Sequence, residues 1–291
     1  MKFDELENDI GEIKSSSKIT ENSYLIEASK LFILKRNYKN LDPCYSYLES
    51  QGVMNVSYPI KRYIIENEKY LLFDYLVEAK YPKDKKIYDL RDALLNLHEK
   101  TKVLKETKRN SFKYLYRLYK KLDYKFHVLD SYISEAEMRE KNDDFDWIVL
   151  SKYKTYLDAK KEMYRLQMKI HEEIDAKISI YYAINHGRPS LSHLVSKSLI
   201  SFDESRFGFV VNDIARFYCS NEDIKIDWFM MIDEWLNIYE LPFYKTYFKF
   251  MVMYIFILNL HIDFDNSYLS ISNYVQIHNK LEKIMITFKD Y

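Results

Sequence analysis

Glycine is scarce in this chain: four in 291 residues. Backbone amides that cradle a phosphate need glycine for close approach, so phosphate-binding loops of the usual glycine-rich kind are excluded over most of the sequence. Cysteine is equally sparse. Cys44 and Cys219 stand far apart with no C-x-x-C or His-Cys spacing, which argues against a zinc site or a disulfide framework and suits a reducing, cytoplasmic setting. Net charge is also lacking, since 44 basic residues balance 44 acidic ones. No bulk field therefore marks the chain as a binder of nucleic acid or of a membrane surface. Long apolar runs are missing as well. The longest, Phe250 to Leu258, is well short of the roughly 18 to 20 residues that span a bilayer and is expected to be a buried helix. The acidic N-terminus, MKFDELENDIGEIK, has no apolar core and does not read as a secretory signal.

What is present is an apolar fraction of 47%, enough for a real core in one large domain or two modest lobes. Tyrosine is plentiful at 28 residues, which we attribute to biased codon usage rather than to stacking surfaces. From Lys18 to Tyr75 the pattern is that of a small mixed lobe. Tyr24 to Ile26 and Leu31 to Lys35 form a hairpin, Asp42-Pro43 starts a helix that stops at Gly52, and a second hairpin runs through Ile60 to Ile65 and Tyr70 to Tyr75. Leu76 to Lys86, with Pro82 and clustered charge, reads as a linker, and a helix is expected over Leu90 to Lys102. His98 within it sits at the edge of an apolar stripe and is read as a packing residue.

Residues 111–139 and 145–177 carry seven-residue apolar repeats. Phe112, Tyr119, Phe126 and Ile133 form one, joined on the same face by Leu115, Leu122 and Leu129, and Val149, Tyr156, Met163 and Ile170 form another, reinforced by Leu150 and Leu157, which predicts a long helical hairpin with Asp144 as a possible N-cap. Strands are expected at Ile178 to Ile184 and Leu199 to Phe202, flanking an irregular polar loop. Further helices follow at Trp228 to Tyr239, Pro242 to Leu260 and Tyr268 to Phe288. His261 to Asn266 gathers a histidine and carboxylates, but between helices such residues cap and turn, so a metal site is not assigned there.

The segment 181–218 carries a specific pattern. His186-Gly187, then Gly208 and Asp213, match H-G-D-x-x-x-x-N followed by I-D-W/F, with a glycine seven residues and an aspartate twelve residues after that second Asp. Counting back from both landmarks lands on Ser201. In this the chain resembles the aminoglycoside phosphotransferase and choline kinase-like superfamily, and within it the spore coat kinase-like branch. The resemblance implies an α+β, bilobal protein kinase-like fold: a small β/α N-lobe (1–76), a linker (77–89) and a large, mostly helical C-lobe (90–291) with a long helical hairpin. It also implies roles. Lys35, ending Phe32-Ile33-Leu34, takes the place of the nucleotide-phosphate lysine, with Asp42 a substitute for its acidic partner. Arg188 stands where the family has its catalytic Asp, His193 where it has a metal-binding Asn, and Ser201 where it has a metal-binding Asp. Asp213, Gly208 and His186 keep structural positions.

Phosphoryl transfer needs magnesium and a carboxylate to orient the attacking hydroxyl. Arg188 offers only donors, His193 is a poor magnesium ligand, and Ser201 is neutral. Asp203, two residues on, is a nearby carboxylate that could reach the cleft if the segment is an extended strand. The expectation is therefore a catalytically silent kinase-like protein, a binding or regulatory module with an unknown protein or a small anionic ligand as partner, the anion held without metal in the inter-lobe cleft by Lys35 and Arg188. The alternative is an active transferase using ATP and magnesium, with relocated ligands, on a small hydroxylated or amino substrate. A spore coat role follows from the family analogy alone.

Overall fold

The computed structural model describes residues 4–78, 80–107, 113–261 and 268–291. The chain divides into two compact units, Met1–Lys102 with Ala183–Gly208, and Val103–Tyr182 with Phe209–Tyr291. The loop expected to carry the chemistry thus belongs with the N-terminal sheet.

In the first unit, helix α1 (Asp4–Ile10) precedes strands β1 (Ser15–Thr20), β2 (Ser23–Glu27) and β3 (Leu31–Arg36). Helix α2 (Asp42–Ser50) and the hairpin β4 (Lys61–Ile65) and β5 (Glu68–Asp74) follow, giving an antiparallel sheet in the order β1-β2-β3-β5-β4. Both hairpins fall where alternation puts them. The second turns on Glu66 and Asn67, both at positive φ (52° and 65°), the pairing that a two-residue turn needs to match strand twist. Strand β5 shows why the sheet is two-sided. Tyr70 and Leu72 join Leu6, Ile10, Ile26, Phe32 and Leu34 in one cluster, while Phe73, of the other parity, meets Tyr45 of α2 at 5.8 Å between ring centroids. Strand β1 was invisible to pattern reading because its residues, SSSKIT, are exposed throughout.

Helix α3 (Lys83–Thr101) starts well before the expected Leu90, and Leu76 to Lys86 is a linker only as far as Pro82. Pro82 occupies the N-cap with Asp84 in the first turn, so Lys83, Asp84 and Lys85, which read as linker, are the exposed start of the helix, while Lys86 is buried. His98 is fully buried in it. Strand β6 (Val103–Glu106) leads into the second unit, where it pairs antiparallel with β7 (Ser179–Asn185) through Val103 opposite Tyr182.

The helical hairpin is α4 (Lys113–Met138) and α5 (Asp144–Asp175). Its predicted stripes are the buried ones: Leu115, Tyr119, Leu122, Phe126, Leu129 and Ile133 on α4, and Val149, Tyr156, Met163 and Ile170 on α5. Ser111 and Phe112 lie outside the described residues. The cap is Asp143, not Asp144: its carboxylate accepts from the Asp146 N–H (2.8 Å), and Asp146 accepts from the Asp143 N–H (3.2 Å). Asp146 is buried, which alone raises its pKa. Hydrogen bonds from the Tyr132 hydroxyl and Arg139 (2.6 and 2.7 Å) outweigh that and hold it below its ordinary value.

After the loop described below come α6 (Val210–Asn221), α7 (Trp228–Asn237), α8 (Pro242–Leu258) and α9 (Tyr268–Thr287). Helix α8 is touched by α4, α5, α6, α7 and α9, so the apolar run 250–258 is the buried helix that its length implied. Among the described residues no helix is long and apolar enough to cross a membrane. Residues 262–267, including the carboxylates beside His261, lie outside the described residues.

Replacing Asp143 with Ala should cost about 1 kcal/mol of stability, seen as a lower thermal midpoint. Asp144→Ala, which removes an exposed first-turn charge but no cap, should cost less.

Candidate functional site

The site is a loop that folds back on itself and is then fastened to the sheet. Strand β7 ends at Asn185, and His186 follows fully buried. Gly187 has φ +87°, and a Cβ placed there would lie 2.1 Å from the backbone oxygen of Glu204. Only glycine allows residues 187 and 204 to approach so closely. His186 Nδ1 accepts from the Arg188 N–H (3.3 Å) and Nε2–H donates to the Ile200 carbonyl (2.8 Å), the pattern of a neutral imidazole used as a brace.

His193 has the opposite tautomer. Its Nδ1–H donates to the Arg188 carbonyl at 2.5 Å, and its ring stands 5.5 Å from that of His186. Burial, then the charges of Arg188 and Lys35, push its pKa below the ordinary 6.5, against the opposing pull of the Arg188 carbonyl and Asp203. Residues Leu191–His193 form a 3-10 turn, followed by a two-residue ladder of β8 (Leu194–Val195) and β9 (Ser198–Leu199).

The strand expected at Leu199 to Phe202 is not formed. Ser201 takes a left-handed conformation (φ 64°) and Phe202–Glu204 is a second 3-10 turn, so the chain reverses instead of extending. Alternation along a strand is therefore not what carries Asp203 to its partner. The turn buries Phe202 completely between the rings of Tyr45 (5.7 Å) and His186 (5.0 Å), and this sets Asp203 against Lys35 in a part-buried ion pair. Lys39 adds a hydrogen bond to the Asp203 carbonyl (2.8 Å) and reaches the Glu204 carboxylate (3.2 Å). Strand β10 (Arg206–Phe209) then holds Gly208, which is not at positive φ, and leads to α6, where Asp213 is fully buried within the second unit.

The expected partner of Lys35 is corrected by this geometry. Asp42 is held by Arg62 and by the Asn37 amide (2.6 Å), which also accepts from the Leu41 N–H to start α2. Lys35 turns to Asp203 instead, a contact across 168 positions that no local pattern announces.

Beside this fastening lies a pocket of about 430 Å3 within the first unit, lined in part by Lys35, Tyr45, Phe73, Ile200, Ser201 and His193. Of the candidate residues, Lys35, His193 and Ser201 line it, and Asp203 reaches it through Lys35. Arg188 is exposed and its guanidinium has no ion-pair partner among the described residues, while Asp213 and Gly208 do not line it. Tyr45, Phe202, Lys39 and Glu204 were not singled out from the sequence. The run Phe202-Asp203-Glu204, one apolar residue before two acidic ones, is the local signal by which a turn with one buried face could have been read.

These donors do not suit magnesium, which prefers several hard oxygen ligands. Ser201 is neutral, His193 is a nitrogen ligand, and the Asp203 carboxylate is engaged by an ammonium group. Among the described residues no three His, Cys, Asp or Glu side chains are grouped to hold a metal.

Gly187→Ala should destabilise the first unit by about 3 kcal/mol or more through combined strain and clash, read as a lower urea midpoint. Gly52→Ala, with positive φ but nothing within 4 Å, should cost about 1 to 2 kcal/mol. The His193 ring should titrate below 6.5 in NMR as the Nδ1–H tautomer. Its unfolded-state pKa being the higher, the stability it contributes is present above 6.5 and lost as pH falls through the lowered value.

No protein-family model and no curated protein matches the chain. Solved structures do. An aminoglycoside phosphotransferase from Alicyclobacillus acidocaldarius superposes over 95% of this chain and 92% of its own, with 15% identity and a TM-score of 0.64. A putative fructosamine-3-kinase from Haemophilus somnus (14% identity, 95% of each chain, TM-score 0.49) and a choline kinase from Streptococcus pneumoniae (13%, 97% of each, 0.48) are also similar. The chain has the kinase-like fold of the aminoglycoside phosphotransferases.

Proposed function

We propose that this protein is a catalytically silent, kinase-like binding or regulatory module. The observation that carries the proposal is the Lys35–Asp203 pair. Asp203, two residues beyond Ser201, is engaged by the lysine that would otherwise meet a phosphate, and the neighbouring Glu204 carboxylate is met by Lys39. Relieving Asp203 to bind a dication strips Lys35 of its counter-charge, and breaking a partly buried pair is costly. Arg188 cannot replace the missing base, because a guanidinium stays protonated and only donates. An active transferase acting on a small hydroxylated or amino substrate would need Asp203 to leave Lys35 first.

A second proposal is favoured by one feature: the exposed guanidinium of Arg188, without an ion-pair partner among the described residues. It suits an anionic group on a protein or small-molecule partner that docks on the loop surface without metal.

Purified protein should not consume ATP in magnesium, and magnesium should add nothing to any thermal stabilisation by ATP. The triple variant Arg188→Asp, His193→Asn, Ser201→Asp should gain a magnesium-dependent rise in the thermal midpoint. Magnesium-dependent ATP turnover by the wild-type chain, abolished by Asp203→Ala, would refute the silent state.

A further inference from the structure

Charge balances over the whole chain but not along α4. Between Lys113 and Lys125 five cations (Lys113, Arg117, Lys120, Lys121 and Lys125) stand against one carboxylate, Asp123, which accepts a hydrogen bond from the Tyr164 hydroxyl (3.0 Å). Helical spacing sorts them. Lys113, Arg117, Lys120 and Tyr124 recur at i, i+4, i+7 and i+11 and form one stripe about 16 Å long, with Tyr116 and Lys121 on its two flanks. All six are exposed, because the opposite face of the helix, with Leu115, Tyr119, Leu122 and Phe126, is the buried one.

The stripe carries its charge uncompensated. None of Lys113, Arg117, Lys120 and Lys121 has an ion-pair partner among the described residues, and the adjoining α8 brings no carboxylate. Lys120 sets its ammonium over the Tyr116 ring, 4.7 Å from the centroid, a contact that orients the charge without neutralising it. Lys125, half-buried, donates to the Leu260 carbonyl (2.6 Å), and with Lys120, Lys121, Tyr124 and Leu258 it lines a cleft of about 260 Å3 along one side of the stripe. Like charges three and four residues apart destabilise a helix. A polyanion laid along the stripe relieves that repulsion and releases its own counterions.

We propose that this face of α4 binds single-stranded nucleic acid, with the four cations along the phosphate backbone and Tyr116 and Tyr124 as stacking platforms for bases. The tyrosines decide between polyanions. They are 61% and 64% exposed, and no other large apolar side chain is exposed between Lys113 and Lys125. An acidic peptide would satisfy the cations and leave both rings unused. A bilayer would need apolar side chains to insert, where the stripe offers only rings ending in hydroxyls. A single strand meets both features, because its bases present π faces that a duplex hides in its stack. The proposal goes beyond the silent state and does not depend on it.

The test is fluorescence anisotropy of a labelled oligouridylate titrated with the full chain. At low salt the dissociation constant should be about 1 to 100 μM, and the log–log salt slope about −3, as four phosphate contacts on a single strand give. The double variant Arg117→Glu, Lys121→Glu should weaken binding at least tenfold and flatten the slope by about half, with circular dichroism checking the fold. Should it not fold, Arg117→Gln with Lys121→Gln supplies the same arm with a smaller loss. Tyr116→Ser and Tyr124→Ser should each weaken binding about fivefold or more with the salt slope unchanged, and a duplex of equal length should bind less tightly. No binding at low salt overturns the proposal, as does binding that ignores the charge reversals. Charge reversals that matter while both tyrosine variants bind as wild type overturn it too, as does tighter binding to polyglutamate or to phosphatidylserine vesicles than to the oligonucleotide.

Discussion

The contact between Gly187 and the Glu204 backbone is the constraint on which the site depends. A loop beginning at the end of β7 must return to its own start, and it can do so only because residue 187 has no Cβ. The return is then held by side chains of different kinds. Phe202 fills the space between Tyr45 and His186, Lys35 and Lys39 hold Asp203 and Glu204, and Cys44 lies 3.5 Å from the Ser205 hydroxyl. Packing fixes where the turn sits and electrostatics fixes which way its carboxylates point. Strain at Ser201, with its left-handed φ, persists because these contacts over-determine the turn.

The Lys35 ammonium and the Asp203 carboxylate neutralise one another beside the pocket. The two histidines contribute in different ways. His186, with both ring nitrogens bonded to loop backbone, is a strut. His193, with one nitrogen bonded to backbone and the other unengaged, is a strut that also presents a polar atom. Both tautomers follow from which backbone group each ring nitrogen meets, so the loop's conformation sets the chemistry of its imidazoles.

The second unit holds much of the buried apolar surface. Helix α8 packs against five helices and carries two charged residues, both paired: Lys249 with Glu162 and Lys245 with Asp233, each at 2.6 Å. The run 250–258, expected from its length to be a buried helix, lies in the helix against which five others pack.

Much of the fold was legible in the sequence because its signals are local. Alternation gave the hairpins at β2–β3 and β4–β5, the seven-residue stripes gave α4 and α5, and Pro242 marked the start of α8. The motif spacing from His186 to Asp213 carried the resemblance that implied the kinase-like fold. What the sequence could not decide was the state of the charges. Whether Asp203 faces a metal, solvent or Lys35 depends on a turn at Ser201 where a strand was expected, and on a partner 168 positions away. Asp42, which the resemblance offered as a substitute partner for Lys35, is claimed by Arg62 and Asn37 in the folded chain. Ion pairing depends on distance in space, which sequence separation does not encode, so the residues present were readable in advance and only tertiary structure decided which of them cancel.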